Sequence, residues 1–425
     1  MQFVKATASR SKSLRAALAG VAVLGATALV LSGCAGTSGG SGTPSKTLTF
    51  NLGTILPQTG SLATLGPPAI AASNMAVADI NAAKQGIKIN ITQKDSGDTS
   101  TNIATQSVTA LLAGGVTAIL GAESSSTSLT VIDQISKAGV VEFSPANTSP
   151  TFTTYADNGF YWRDAPSDVL QGKVLGQKVL KDGATNVAII YQNDSYGTGL
   201  DDNVKKAIEA GGGTVTQNIA FDVAATDFSS QISTALATNP DALVVISFDQ
   251  IKTIAQQLAT AGFDFKKFYG SDGNFGVIDP SYTNADIAGA QFTNPGVNVA
   301  GAFKTKLDKF VASSGDKPLT AYSYAPESYD AVVLLALAAL QGGKVDGTTL
   351  KNNLQSVSEG GTKCTTFTDC AKLIAAGKDI NYDGLSGPIT FAANGDPQQA
   401  YISIYKYAKG NTNSFESAEF GDLSK

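Results

Sequence analysis

The chain has 425 residues, with 30 Lys+Arg against 35 Asp+Glu and no histidine. That length exceeds one ordinary core and implies two domains, and the acidic, lightly charged composition argues against nucleic acid as a partner. Without histidine, Ser-His-Asp and Cys-His catalysis, His-ligated metals and histidine pH switches are all excluded.

Residues 1–33 carry Lys5, Arg10, Lys12 and Arg15, no acid, and the apolar run Ala16–Leu31, the pattern of a secretory signal. The run ends Leu31-Ser32-Gly33-Cys34, which resembles a bacterial lipobox, so cleavage before Cys34 and its lipidation are expected. The mature protein would then be extracytoplasmic and lipid-anchored to the bacterial cell membrane. Residues 34–46, a Gly/Ser/Thr stretch with nothing to bury, read as a flexible tether. Loss of the four leader cations leaves 26 basic against 35 acidic residues, a net charge of −9.

Strands and helices then alternate. Thr47–Ile55 reads as a strand, Pro67–Ala83 as a helix opened by proline, Ile87–Thr92 as a strand and Asp98–Ala113 as a helix. Thr117–Leu120 and Gly139–Phe143 are short apolar runs of buried-strand type, with a helical spacing between them at Leu129, Ile132 and Ile135. Each strand runs into a hydroxyl-rich loop, Glu123–Thr127 and Ser144–Thr148. In an open parallel sheet both loops fall at the carboxyl ends of strands, where such folds bind ligands, and a helix N-terminus lined with serines suits a carboxylate. The plain alternative is that Ser124–Thr127 only cap a helix.

A second series predicts helix Ser167–Lys181, strand Asn186–Tyr191, helix Leu200–Glu209, strand Thr214–Phe221, helix Phe228–Thr238, strand Asp241–Ser247, helix Asp249–Ala261 and strand Phe268–Ser271. Helices Phe303–Ser313 and Ala325–Leu340 return the chain to the first domain. The expected fold class is α/β, two doubly wound sheets with a ligand cleft between them.

With Cys34 assigned to lipid, Cys364 and Cys370 remain, and a local disulfide is expected; zinc is the alternative, poor with two thiols and no histidine. Asp379–Gly384 begins like an EF-hand loop but has Thr390 where the bidentate glutamate belongs, so no metal is assigned. No phosphate-cradling or dinucleotide fingerprint follows a strand, and no cofactor or catalytic residue is expected.

The segments TILPQTGSLATLGPP, GAESSSTS, SPANTSP, YQNDSYGTG, YGSDG, AYSYAPESYDAV and SGPITFAANGDP, in this order, resemble the type I periplasmic binding proteins, specifically the branched-chain amino-acid (Leu/Ile/Val) receptors of ABC transporters. The resemblance spans Thr47 to Tyr407 and implies two Rossmann-like lobes joined by three crossover segments near Arg163, Asn294 and Gln398. Lobe 1 is then 47–163 with 294–398, and lobe 2 is 164–293 with 399–425. It also implies a monomer that captures a small amino acid by hinge closure and delivers it to a membrane permease. Carried over by residue, Ser124 and Thr148 would hold the α-carboxylate, aided by backbone groups near Asn147. Asp272 would meet the α-ammonium, and Tyr196, Phe248 and Tyr324 would frame the ligand. Leu65 stands where an aromatic residue often lies, which leaves a wider or more aliphatic pocket. Glu123 adds a carboxylate that would repel a ligand carboxylate or contact an amide or basic group. A sensory subunit and, behind it, a surface hydrolase are the alternative functions.

Overall fold

The computed structural model describes residues 47–424, so the leader, the tether and Cys34 lie outside the described residues. In chain order the elements are β1 (Leu48–Leu56), α1 (Gly66–Ala83), β2 (Ile87–Asp95), α2 (Ile103–Ala113), β3 (Ala118–Gly121), α3 (Ser125–Lys137), β4 (Val141–Ser144) and β5 (Tyr161–Arg163). There follow α4 (Asp168–Lys181), β6 (Asn186–Gln192), α5 (Ser195–Ala210), β7 (Thr214–Phe221), α6 (Ser229–Leu236), β8 (Ala242–Ile246), α7 (Ile251–Thr260), β9 (Phe268–Gly270) and β10 (Gln291–Pro295). The last third holds α8 (Gly301–Ser314), α9 (Ala325–Gly342), α10 (Gly347–Leu354), β11 (Thr362–Cys364), α11 (Phe367–Ala375), β12 (Ile380–Tyr382), β13 (Gln399–Ala408) and β14 (Thr412–Asp422).

Two large sheets result. The first is parallel throughout, in the order β2-β1-β3-β4-β5. The second runs β14-β13-β10-β9-β8-β6-β7 and is mixed: β6 to β10 are parallel, and the β13–β14 hairpin joins β10 antiparallel. A parallel strand must bury both faces, which explains the unbroken apolar runs. In β6, Ala188 and Ile190 pack toward Ile232, Ile254 and Leu258, while Val187 and Ile189 pack toward Leu175, Leu200 and Val204. The first sheet does the same, with Ala118 and Leu120 of β3 facing the α9 side and Ile119 facing Val108 and Val131. The α/β architecture expected from the sequence is therefore present, with α9 as a largely buried core helix.

The differences from the sequence reading have local causes. Helix α2 begins at Ile103 rather than Asp98 because the Asp98 carboxylate is used in a turn, accepting from Ser100 N at 3.0 Å and Ser61 N at 3.1 Å. Helix α5 begins five residues earlier than Leu200, since Asp194 caps it through Gly197 N at 2.8 Å. The second sheet is not purely parallel, and its edge hairpin, with β5, α10 and α11, was not anticipated. Cys364 and Cys370 are bonded to each other.

Where β5 leaves the first sheet, Arg163 is fully buried and grips Asp396 through Nε at 2.6 Å and Nη2 at 3.0 Å. Its Nη1 donates to the carbonyls of Asn147 (3.1 Å) and Ser149 (2.8 Å), so one side chain fixes the second hydroxyl loop to the returning chain. Removing one member of a buried pair strands the other. Asp396→Ala should therefore lower unfolding stability by about 3–5 kcal/mol, read as a lower urea midpoint; an unchanged midpoint would show that the pair is not structural.

Candidate ligand-binding site

The carboxyl ends of β3 and β4 carry the two hydroxyl loops, and those of β6, β8 and β9 carry Tyr196, Phe248 and Asp272. The two groups of loops face each other in one apolar cluster that contains Leu62, Leu65, Ala146, Tyr196, Phe248 and Tyr324. Tyr196 stacks on Phe248, with ring centroids 5.3 Å apart and planes at 15°. A cavity of about 470 Å³ lies next to this cluster, lined among others by Ala63, Thr64, Pro67, Asp249, Lys252 and Leu319.

Asp272 is the polar centre of the junction and is only 3% exposed. Its Oδ1 accepts from Tyr196 OH at 2.7 Å and Gln171 Nε2 at 2.8 Å, and its Oδ2 accepts from Tyr324 OH. Tyr196 OH in turn accepts from Gly273 N at 3.2 Å and lies 2.8 Å from Ser271 Oγ. Tyr324 holds its place with a left-handed backbone, φ 60°, just before α9, an unusual state for a residue with a Cβ. Close by, Asp168 at the start of α4 accepts from Thr148 Oγ1 at 3.0 Å through Oδ2, while its Oδ1 has no hydrogen-bond partner. Burial, reinforced by the Asp272 carboxylate, pushes Asp168 well above the usual carboxylate range. Burial raises Asp272 as well, against the opposing hydrogen bonds of Tyr324, Tyr196 and Gln171. Two carboxyl groups thus share one junction with neutral donors around them.

The opposite wall is built on α3. Ser124 is its N-cap, accepting from Thr127 N at 3.4 Å, and Ser128 N bonds the Ser124 carbonyl. Glu123, 4% exposed, has neither oxygen hydrogen-bonded, and burial drives its carboxyl well above the usual range. Burial thus favours its neutral form over the charged one, which weakens the repulsion of an anion that a carboxylate there would exert. Asn147 has a different place from the one expected. Its N–H donates to Ser144 Oγ at 3.0 Å, its carbonyl accepts from Arg163, and its Nδ2 donates to Ser128 Oγ (2.7 Å) and Tyr161 OH (3.0 Å). These groups are spent on holding the loop.

Direct hydrogen bonds close the junction. Ser126 Oγ donates to Asp194 Oδ2 at 3.0 Å and accepts from Ser195 N at 3.1 Å, and Ser149 Oγ donates to Ser195 O at 2.9 Å. Asp168 and Gln171 are the site residues that sequence reasoning missed. Their only signal, Ser167-Asp168 before an apolar periodicity, is equally that of an ordinary helix N-terminus.

Ser128 Oγ is the shared acceptor for Ala122 N (3.0 Å) and Asn147 Nδ2, holding both loops at one atom. Ser128→Ala leaves Ala122 N unpaired and takes one of the two acceptors of Asn147 Nδ2, which should cost about 1–3 kcal/mol of stability; urea unfolding at the wild-type midpoint would contradict this.

The family model described as "Periplasmic binding protein" matches residues 49–411. An uncharacterized protein of Methanocaldococcus jannaschii is 29% identical over 166 residues, 37% of this chain but only 40% of that protein. The Leu/Ile/Val-binding protein homolog 1 of Brucella abortus is 26% identical over 84% of this chain and 89% of its own. Among solved structures, the branched-chain amino-acid transporter substrate-binding protein LivJ of Streptococcus pneumoniae, determined with isoleucine, aligns at TM-score 0.70 and 23% identity, covering 88% of this chain and 99% of that one. An R. palustris solute-binding protein of an ABC transporter, determined with 4-hydroxybenzoate, aligns at TM-score 0.72 and 16% identity over 88% and 98%. These structures share the fold. The chain belongs to the periplasmic binding protein family, whose members are extracytoplasmic solute-binding proteins and not enzymes.

Proposed function

We propose that this protein is the substrate receptor of an ABC importer and captures an α-amino acid, of branched-chain or related type, between two lobes. The lobes are 47–163 with 294–398 and 164–293 with 399–425. The observation that carries the ligand class is the pairing of Asp168 with Asp272 in a buried junction where no cationic side chain among the described residues is hydrogen-bonded to either. A ligand ammonium answers both carboxylates at once, and burying it there restores their charged forms. The α-carboxylate then lies at the N-terminus of α3, against Ser124 and Thr148, where donors without full charge suffice. Leu65, Phe248, Tyr196 and Tyr324 enclose the side chain, with Glu123, whose burial favours its neutral form, at the margin. The named relative from Brucella supports the amino-acid class.

The 4-hydroxybenzoate neighbour suggests a second ligand class, an aromatic acid, which the aromatic wall would suit and the paired carboxylates would not. Capture follows if the lobes open on a hinge and the ligand, touching both, favours the closed form by its differential affinity for it. A lipid anchor at Cys34 would keep a monomeric receptor beside its permease. A sensory subunit would bind in the same way and differ only in its partner.

The test is calorimetry on protein stripped of ligand, titrated with Leu, Ile, Val, Phe, Ala and Glu. Binding of an aliphatic amino acid is expected. Asp272→Ala should weaken it by about 3–5 kcal/mol, the scale of one charge left unpaired in a buried site. Undiminished affinity in that variant removes Asp272 from ligand contact.

A further inference from the structure

Three connections join the second large sheet to the rest of the described chain, after β5, after β10 and before β13, and each meets a buried carboxyl group that ligand capture does not use. The first connection follows β5 and contains Asp164, 5% exposed, with neither oxygen hydrogen-bonded. The second leaves β10 through Gly296 (φ 87°), and the Glu327 carboxylate of α9 closes on it so tightly that a Cβ there would meet Oε1 at 2.2 Å. The third runs from β12 to β13 past Gly384 and Ser386. There Asp330, on the same helix as Glu327, accepts from Ser386 N at 2.7 Å, Ser386 Oγ at 2.8 Å and Tyr382 OH at 2.7 Å. A Cβ at Gly384 would come within 2.3 Å of its Oδ2.

These acids act on one another. Burial first, then Glu327 and Asp330, lifts Asp164 well above the carboxylate range. Burial, with Asp330 adding to it, pushes Glu327 up to about 8, and burial takes Asp330 to about 6 against the donors of Ser386 and Tyr382. The other titratable groups facing them are Tyr382 of β12, Tyr405 of β13 and Tyr329 of α9. Tyr329 donates to Asp79 of α1, which is itself paired with Lys306 of α8. Asp330, with three donors, is the member built to carry charge; Asp164 and Glu327 are built to carry protons.

We propose that these carboxyl groups make the hinge proton-linked: closure buries Asp164 and Glu327 in protonated form, and opening wets them and releases their protons. This rests on the two-lobe reading above, because swinging any connection moves a wall of the cluster. For an acid held higher in the closed form than in water, closure is favoured fully below its ordinary value. That advantage is lost as the pH climbs toward the closed-form value, about 8 for Glu327. Closure thus weakens with rising pH, by up to about tenfold per pH unit for each proton released.

The experiment is fluorescence energy transfer between labels at the exposed positions Thr105 and Ser230, on ligand-free protein from about pH 5 to about pH 9. The closed fraction should fall as the pH rises and level off above about 8. Glu327→Gln should flatten the profile, and Asp164→Asn should do the same, which covers the case where one variant fails to fold. A separation that responds to amino acid but not to pH overturns the inference, as does a pH profile that both variants leave unchanged. A separation that never changes, with or without amino acid, overturns the two-lobe reading and this inference with it.

Discussion

The structure turns on one carboxylate. Asp272 sits where the two sheets meet, within an apolar and aromatic surround, and its hydrogen-bond partners are the neutral donors Tyr196, Tyr324 and Gln171. Neutral donors soften the cost of burying a carboxyl group but do not supply the opposite charge that a buried anion calls for. Asp168 at the next position in space makes that deficit larger. On the proposed reading, the missing charge is the ligand's to bring.

The fold delivers these groups together for a structural reason. Parallel strands end at one edge, so β3 and β4 of one sheet and β6, β8 and β9 of the other present their loops to a common space. Side chains from loops distant in sequence meet there, as Thr148 meets Asp168 and Tyr324 meets Asp272. Helix α3 lends its N-terminus to one wall while α4 lends Asp168 and Gln171 to the other. The proposed amino-acid ligand would meet donors on one side and carboxylates on the other. The same geometry forces the chain to cross three times, and those crossings are where Asp164, Glu327 and Asp330 are buried.

Much of this was legible in the sequence. Continuous apolar runs such as AIIY and ALVVI announce strands covered on both faces, and of the residues in the loops after such strands the structure brings Tyr196, Phe248 and Asp272 together, while Ser124 caps α3. What escaped notice was what depends on distant partners. Strand β14 is a largely exposed edge whose sequence alternates too weakly to be distinguished from loop, with Phe415 and Phe420 as its large exposed apolar residues. Asp168 looks like a helix-start acid until Thr148 and Asp272 are placed beside it. Asn147 looks like a ligand-loop residue, yet Arg163, Ser128 and Tyr161 take its carbonyl and Nδ2 and leave Oδ1 without a partner among the described residues. Glu123 looks like a negative charge until its burial is known.

The most direct test compares two ligands that differ only in the amino group. Ligand-stripped protein would be titrated with leucine and with 4-methylpentanoate, which keeps leucine's carboxylate and side chain but has no ammonium. If Asp168 and Asp272 define the ligand class, leucine binds and the deaminated acid is weaker by at least about a hundredfold, the scale of one buried charge pair lost. Equal binding of the two, or preference for an acid such as 4-hydroxybenzoate, would contradict the account at its centre.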